Sequence, residues 1–406
     1  MALRTMADRY RRPDWVRRVN AMGLATGGPA AVVPIEADEL LVTADAGAGF
    51  PDLGDGDWEG RLRRLVDAIN ESHLHVVGRL LTREELLRSL RTRQQMGVAR
   101  QADPSIASEV IHAPLVVTGP ARSGTTITFE LIGLDRRLQT PIAADVLHVG
   151  STLPHPERMV AAECEQELWA DVQPEFATVH ELRADLPVEC ITLTAPSFAG
   201  NHWAMVLQDL GDWSPDPVAD FAFHRAVLQT VQHGREPRTW LLKTPAYLMM
   251  LDDLLAAYPD ASVIMTHRDP AKTMPSTVST TALVQWLRTD AVDLDVLSPL
   301  IGALFTDALA TVAKRRVDGS IRAPCGDVRF TELVRDPVAA VSGAYEAIGR
   351  ELTPDHAAAI ESYVRDKPKG KYGTHRYTAE DWGFEPATLH DQLAEYVETF
   401  CIELET

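Results

Sequence analysis

Three stretches of the sequence carry residue types able to hold an anion or move a proton. The first reads Gly119-Pro120-Ala121-Arg122-Ser123-Gly124-Thr125-Thr126, with the G-x-x-x-x-G spacing of a phosphate-cradling turn. Main-chain N–H groups in such a turn point inward, and the helix that follows adds its positive end. The resulting anion site does not depend on overall charge, and Thr125 and Thr126 can add hydroxyl donors. The lysine that a nucleotide kinase or ATPase sets on its β/γ-phosphates beside Mg²⁺ is absent. Thr125 stands in its place, and a cation appears three positions earlier as Arg122. This turn suits an anion that arrives without a metal, and no metal site is expected.

The second stretch is split. Lys243 closes Leu241-Leu242-Lys243-Thr244-Pro245, and Arg268 closes Thr266-His267-Arg268-Asp269-Pro270. Eight positions past Arg268 comes Ser276, after Pro275, where a helix is expected to begin. A guanidinium and a helix-start hydroxyl suit a second phosphate. The alternative for Arg268 is a structural ion pair with Asp269 or Asp260. The third stretch runs from His180 through Glu181, Arg183 and Asp185 to Glu189 and Cys190. Glu189 is the candidate general base, since the apolar residues after it should carry it away from water and raise its pKa. Its bland alternative is an acid at a helix start. His180 is the second candidate base, and His267 reads as packing beside a strand end.

The elements that must position these groups follow from hydrophobic pattern. Residues 113–118 (APLVVT), 239–242 (TWLL) and 261–266 (ASVIMT) are short apolar runs of the kind a buried parallel strand needs. Residues 327–330 (DVRF) form a weaker fourth. Each run leads through polar residues into a helical pattern, which predicts an α/β fold: a parallel sheet flanked by helices. The turn, Lys243 and Arg268 then share the carboxyl edge of the sheet, where open α/β folds bind ligands.

Residues 1–110 read as a helical N-terminal extension packed on the core, 111–345 as the α/β core, and 346–406 as a C-terminal helical and basic segment. A mostly helical insert is expected at about 150–236. In the extension, Leu62, Leu65, Val66 and Ile69 share one helix face. Residues 82–85 have capping-box spacing, 47–56 read as a loop, and the basic opening stretch as a solvated first helix.

Composition narrows the function. A formal charge of −19 over 406 residues argues against broad nucleic-acid or anionic-membrane binding. The 45% hydrophobic and 24% charged content is that of a globular protein. No apolar run approaches the roughly 18–20 residues of a membrane span, and the basic opening lacks the apolar core of a secretory signal. Four scattered cysteines fit reduced thiols and a cytoplasmic location. The insert holds seven of the eighteen Trp and Phe residues: Trp169, Phe176, Phe198, Trp203, Trp213, Phe221 and Phe223. They read as the insert's own core or as the lining of a cleft for a bulky apolar alcohol.

Taken together, GPARSGTT, LLKTP and HRDPAKTMPS resemble the sulfotransferases that use 3′-phosphoadenosine 5′-phosphosulfate, most of all their bacterial branch, whose fold is P-loop-like. The resemblance covers 111 to about 345 and extends to KPKGKYGTHRYTAEDWGF at 367–384. It implies that Arg122, Ser123, Gly124, Thr125 and Thr126 hold the 5′-phosphosulfate, and that Arg268 and Ser276 hold the 3′-phosphate. Lys243 would reach the transferred sulfuryl group. Lys369, Gly370 and Lys371 would close on the nucleotide, leaving adenosine 3′,5′-bisphosphate as product. A glutamate also stands at the place of Glu189 in that branch. Two departures stand out. Pro245 replaces the histidine that serves as base in animal cytosolic members, and Ile127 replaces the aromatic that stacks on adenine. The implied acceptor is a hydroxyl on a bulky, mostly apolar small molecule or lipid, with no nucleic-acid partner. The alternatives are a metal-dependent P-loop small-molecule kinase and a non-catalytic nucleotide-binding protein of the same fold.

Overall fold

The computed structural model describes residues 3–178, 181, 183–366 and 378–405. Its centre is a five-stranded, all-parallel sheet of order β2-β3-β1-β4-β5. The strands are β1 (Leu115–Thr118), β2 (Leu138–Gln139), β3 (Thr239–Lys243), β4 (Ser262–His267) and β5 (Cys325–Arg329). The two-residue β2 was not foreseen, because it is too short to show a period.

Alternation along the strands sorts side chains to two covered faces. Leu115, Val117, Leu241, Ile264 and Val328 pack with Phe129, Ile132 and Tyr345, which belong to helices Thr125–Gly133 and Pro337–Ala347. Val116, Leu242, Val263 and Met265 pack on the other side with Phe221, Val227, Leu254 and Leu309, from helices Pro217–Gln232, Leu251–Ala257 and Leu294–Val317. Register then fixes the working edge. Val117 is opposite Lys243 and Thr118 opposite Met265, so the turn leaving β1 is flanked by the ends of β3 and β4.

A third apolar cluster joins the N-terminal helices to the sheet-side helices. Leu62, Leu65, Val66 and Ile69 are buried in helix Trp58–Glu71, in one cluster with Val278, Leu283 and Trp286 of helix Pro270–Trp286.

Several local expectations are corrected. The spacing at 82–85 is no helix start. Thr82 lies inside helix Val76–Ala102, whose N-cap is His75, and Glu85 turns to Arg288, with 2.7 Å between Oε1 and Nη2. The basic opening is not simply solvated, since the Arg12 guanidinium stacks over Trp286 at 3.8 Å and donates to the Trp286 and Thr289 carbonyls. Ser276 does not start a helix. Asp269 caps one that begins at Pro270, and Pro275 sits inside it. Among the described residues, one helix, Leu294–Val317, is long and apolar enough to cross a membrane by length and composition. Asp295, Pro299 and Asp307 break its apolar run in sequence, and it buries Leu297, Phe305, Leu309 and Val312 against its neighbours.

Candidate active site

The chain leaves β1 through a bend that needs glycine at its start. Gly119 has φ +146°, and a Cβ there would lie 2.5 Å from the Thr266 carbonyl oxygen. Arg122 is a non-glycine residue at φ +66°, and Gly124, at φ +92°, caps helix Thr125–Gly133. The first amides of a helix have no partner within it, so this first turn offers donors at the cavity wall formed by Arg122 and Gly124–Thr126. Ser123 is wholly buried. Its amide and hydroxyl both donate to the Pro120 carbonyl, and its Oγ lies 2.6 Å from Thr266 Oγ1. Ser123 thus braces the bend against β4 and is not part of the cavity lining.

At the end of β3, the Lys243 ammonium is buried between two partners. It donates to Thr126 Oγ1 at 3.2 Å and forms an ion pair with Glu189 Oε1. Glu189 Oε2 also accepts from Thr244 Oγ1 at 3.4 Å. Glu189 is the N-cap residue of helix Cys190–Leu193, yet its side chain makes no capping bond. It turns instead to the lysine, so an ammonium rather than an apolar wall faces it. Burial pushes the neighbouring Cys190 thiol up to about 12, which keeps it protonated and no nucleophile at neutral pH.

Arg268 lies against the same bend. Its Nη1 donates to the Arg122 carbonyl at 3.0 Å, and its guanidinium stacks over Phe330 at 3.9 Å. Its ion-pair partner is Glu405, neither Asp269 nor Asp260. Asp260 accepts from the Ala113 amide, and Asp269 caps the helix. Ser276 is buried in that helix, and the residues of the helix that line the smaller cavity are Thr277, Thr280, Thr281 and Gln285. His267 is buried between Tyr396 and Asp327 and stacked on Phe400, and burial lowers its pKa. His180, Lys369, Gly370 and Lys371 lie outside the described residues.

The family model described as "Sulfotransferase family" matches residues 114–354, more than half of the chain. The chain belongs to the sulfotransferase family. Its structure is similar to that of sulfotransferase STF9 from Mycobacterium avium, with TM-score 0.77 and 25% identity over 91% of this chain and 98% of that one. It is also similar to STF1 from Mycobacterium tuberculosis H37Rv, with TM-score 0.67 and 25% identity over 89% and 99%. No curated protein matches it. The α/β fold inferred from the strand–helix pattern and the sulfotransferase membership inferred from the three motifs both hold.

Two cavities of the sulfotransferase share Arg122, Thr126, Glu130, Glu189, Met205 and Thr280. The smaller, about 520 Å³, is walled by Gly124–Ile127, Arg268 and Phe330 together with Leu297, Leu300 and Leu304. The larger, about 1360 Å³, runs from Lys243 and Glu189 past Leu186, Val206, Leu168 and Trp169 to helix Val76–Ala102. Of the seven insert rings, Trp169 and Phe176 line it. Trp203, Trp213, Phe198, Phe221 and Phe223 are buried in apolar clusters, so the rings divide between the core and the lining of a cavity. Sequence reasoning missed Phe330 and Glu405. Phe330 had a usable signal, as the last residue of the weakest strand run, and it stands directly after the observed strand β5. Glu405 had none, being 137 positions from its partner.

Proposed function

We propose that this sulfotransferase moves a sulfuryl group from 3′-phosphoadenosine 5′-phosphosulfate to a hydroxyl of a bulky, mostly apolar small molecule or lipid. The observation that supports this most is the contact set Thr126–Lys243–Glu189, which lies where the two cavities meet. The smaller cavity fits the nucleotide in its donor chemistry: a glycine-bounded bend, a helix start, and both Arg122 and Arg268 in its lining. The larger exceeds the roughly 300–1,000 Å³ of ordinary ligand pockets, which suits a bulky acceptor.

In this reading Arg122, Thr125, Thr126 and the amides of the bend hold the 5′-phosphosulfate, with Ser123 shaping the bend. Arg268, with Ser276 of the helix capped by Asp269, takes the 3′-phosphate. Lys369, Gly370 and Lys371 close over the nucleotide, and Phe330 is the candidate adenine platform in place of Ile127. When bound, the donor supplies an activated sulfuryl group. Lys243 offers a fixed positive charge where negative charge grows in the transition state. Glu189 offers the carboxylate that takes the acceptor hydroxyl's proton, with His180 the alternative base. The N-terminal extension, the insert and the C-terminal segment are the acceptor cavity's walls, contributing Leu81, Ala161 and Tyr363 among others. A cytoplasmic location belongs to the same reading, supported by four free cysteines.

The test is calorimetric titration with adenosine 3′,5′-bisphosphate, alongside transfer assays on a panel of hydroxyl acceptors. Lys243→Ala is expected to lower turnover by about 10²–10³-fold while changing bisphosphate affinity less than about tenfold. Glu189→Gln should lower turnover by about 10²-fold or more, and His180→Ala should not. Undiminished turnover in Lys243→Ala would remove the lysine from the mechanism.

A further inference from the structure

Arg268, the cation assigned to the second phosphate, is already engaged by a carboxylate. Glu405 grips it through two parallel bonds, Nε to Oε1 at 2.6 Å and Nη2 to Oε2 at 2.7 Å. This fork-on-fork geometry is also the one guanidinium uses for phosphate. The two side chains are 18% and 24% exposed, so water and a ligand can reach the pair.

Glu405 arrives on an extended strap. The Phe400 carbonyl accepts from Arg329 Nε at 2.7 Å, Ile402 is buried, and the Glu405 amide donates to Asp269 Oδ2 at 2.7 Å. Residues 402–405 therefore cross the carboxyl ends of β4 and β5 without belonging to a helix or strand. Two contacts fix the guanidinium independently of the strap: the Arg122 carbonyl at 3.0 Å and the Phe330 ring at 3.9 Å. With Glu405 withdrawn, Arg268 would still be held against the bend, its Nε and Nη2 free for two anionic oxygens.

We propose that Glu405 is an internal competitor for the nucleotide's 3′-phosphate: its carboxylate occupies the guanidinium face that this phosphate takes, and the strap yields when nucleotide binds. The inference rests on the reading of Arg268 as the 3′-phosphate anchor. A phosphate dianion brings the same two-oxygen geometry with more charge, so it displaces the carboxylate when nucleotide is present. Donor and spent nucleotide both carry the 3′-phosphate. Glu405 therefore weakens both, and its return favours release of product.

The experiment compares the intact protein with Glu405→Gln, Glu405→Ala and Arg268→Ala. Each is titrated by calorimetry with adenosine 3′,5′-bisphosphate and with adenosine 5′-monophosphate at one ionic strength, and each is checked by thermal melting. Both Glu405 variants are expected to bind the bisphosphate about tenfold tighter, the scale of one lost charged contact, with the monophosphate unchanged. Arg268→Ala should weaken the bisphosphate alone. The glutamine variant keeps the size and hydrogen bonding of the strap, so a folding defect confined to the alanine variant does not obscure the result. Bisphosphate binding no tighter in Glu405→Gln, with Arg268→Ala still weakened, makes Glu405 a structural tie and overturns the inference while the anchor stands. Equal tightening of both nucleotides assigns the effect to general charge and likewise overturns it. An Arg268→Ala protein that binds the bisphosphate normally removes the anchor and the inference together.

Discussion

Glu189 and Asp220, two carboxylates of the insert, meet opposite surroundings. Glu189 faces the Lys243 ammonium at the junction of two cavities. Asp220 is buried in helix Pro217–Gln232, accepting from Ser197 Oγ at 3.2 Å, and burial pushes its pKa up to about 7 from a reference of 3.8. Between those values the unfolded chain has released its proton and the folded chain still holds it. Asp220 thus lends stability that is fully present below about pH 4 and lost as pH rises through about 7. Asp220→Asn lacks this titration. Its melting temperature relative to the unaltered protein should therefore rise by roughly 5 °C between those two pH values. A constant difference across that range would show that burial does not hold the proton on Asp220.

At the scale of elements, the bend after β1 depends on backbone space as well as on φ, which separates two glycines of positive φ. Gly119 and Gly234 both have positive φ, but a Cβ at Gly119 meets the Thr266 backbone while one at Gly234 meets nothing. Gly234→Ala is expected to lose about 1–2 kcal/mol and bind bisphosphate normally. Gly119→Ala should lose more and bind at least tenfold more weakly. Equal losses and equal binding would mean the bend has room to spare. The sequence shows the bend, β1, β3, β4 and β5 because each is encoded locally, by glycine spacing or by a run buried on both faces. What it hides depends on distant partners. Glu85 reads as part of a capping box until Arg288, 203 positions away, claims it. Arg268 reads as paired with a nearby aspartate until Glu405 takes it. Pro275 reads as a helix start because the cap at Asp269, six positions earlier, looks like part of the anion motif. The Thr126–Lys243–Glu189 cluster was half legible: each member stood at a strand end or helix start, but their contact came from the register of β1 on β3.

For the whole molecule, buried arginines tie the N-terminal helices to the rest. Arg93 binds Asp55 through both nitrogens, donates to the Pro196 carbonyl and lies over Trp58 and Phe223. Arg288 does the same from the other side through Glu85. These ties hold helix Val76–Ala102 as one wall of the larger cavity, with helix His155–Val172 as another. In the proposed reading, acceptor size is then set by packing between segments far apart in sequence, whereas donor binding is set by the bend together with Arg268 and Phe330. Ala161, on helix His155–Val172, lines the larger cavity and not the smaller. In Ala161→Trp, KM for polycyclic alcohols should rise about tenfold or more. KM for a single-ring phenol and the affinity for adenosine 3′,5′-bisphosphate should stay within about twofold of the original. If the variant treats large and small acceptors alike, the larger cavity is not where the acceptor sits. If bisphosphate affinity falls with it, the division of donor and acceptor between the two cavities is wrong.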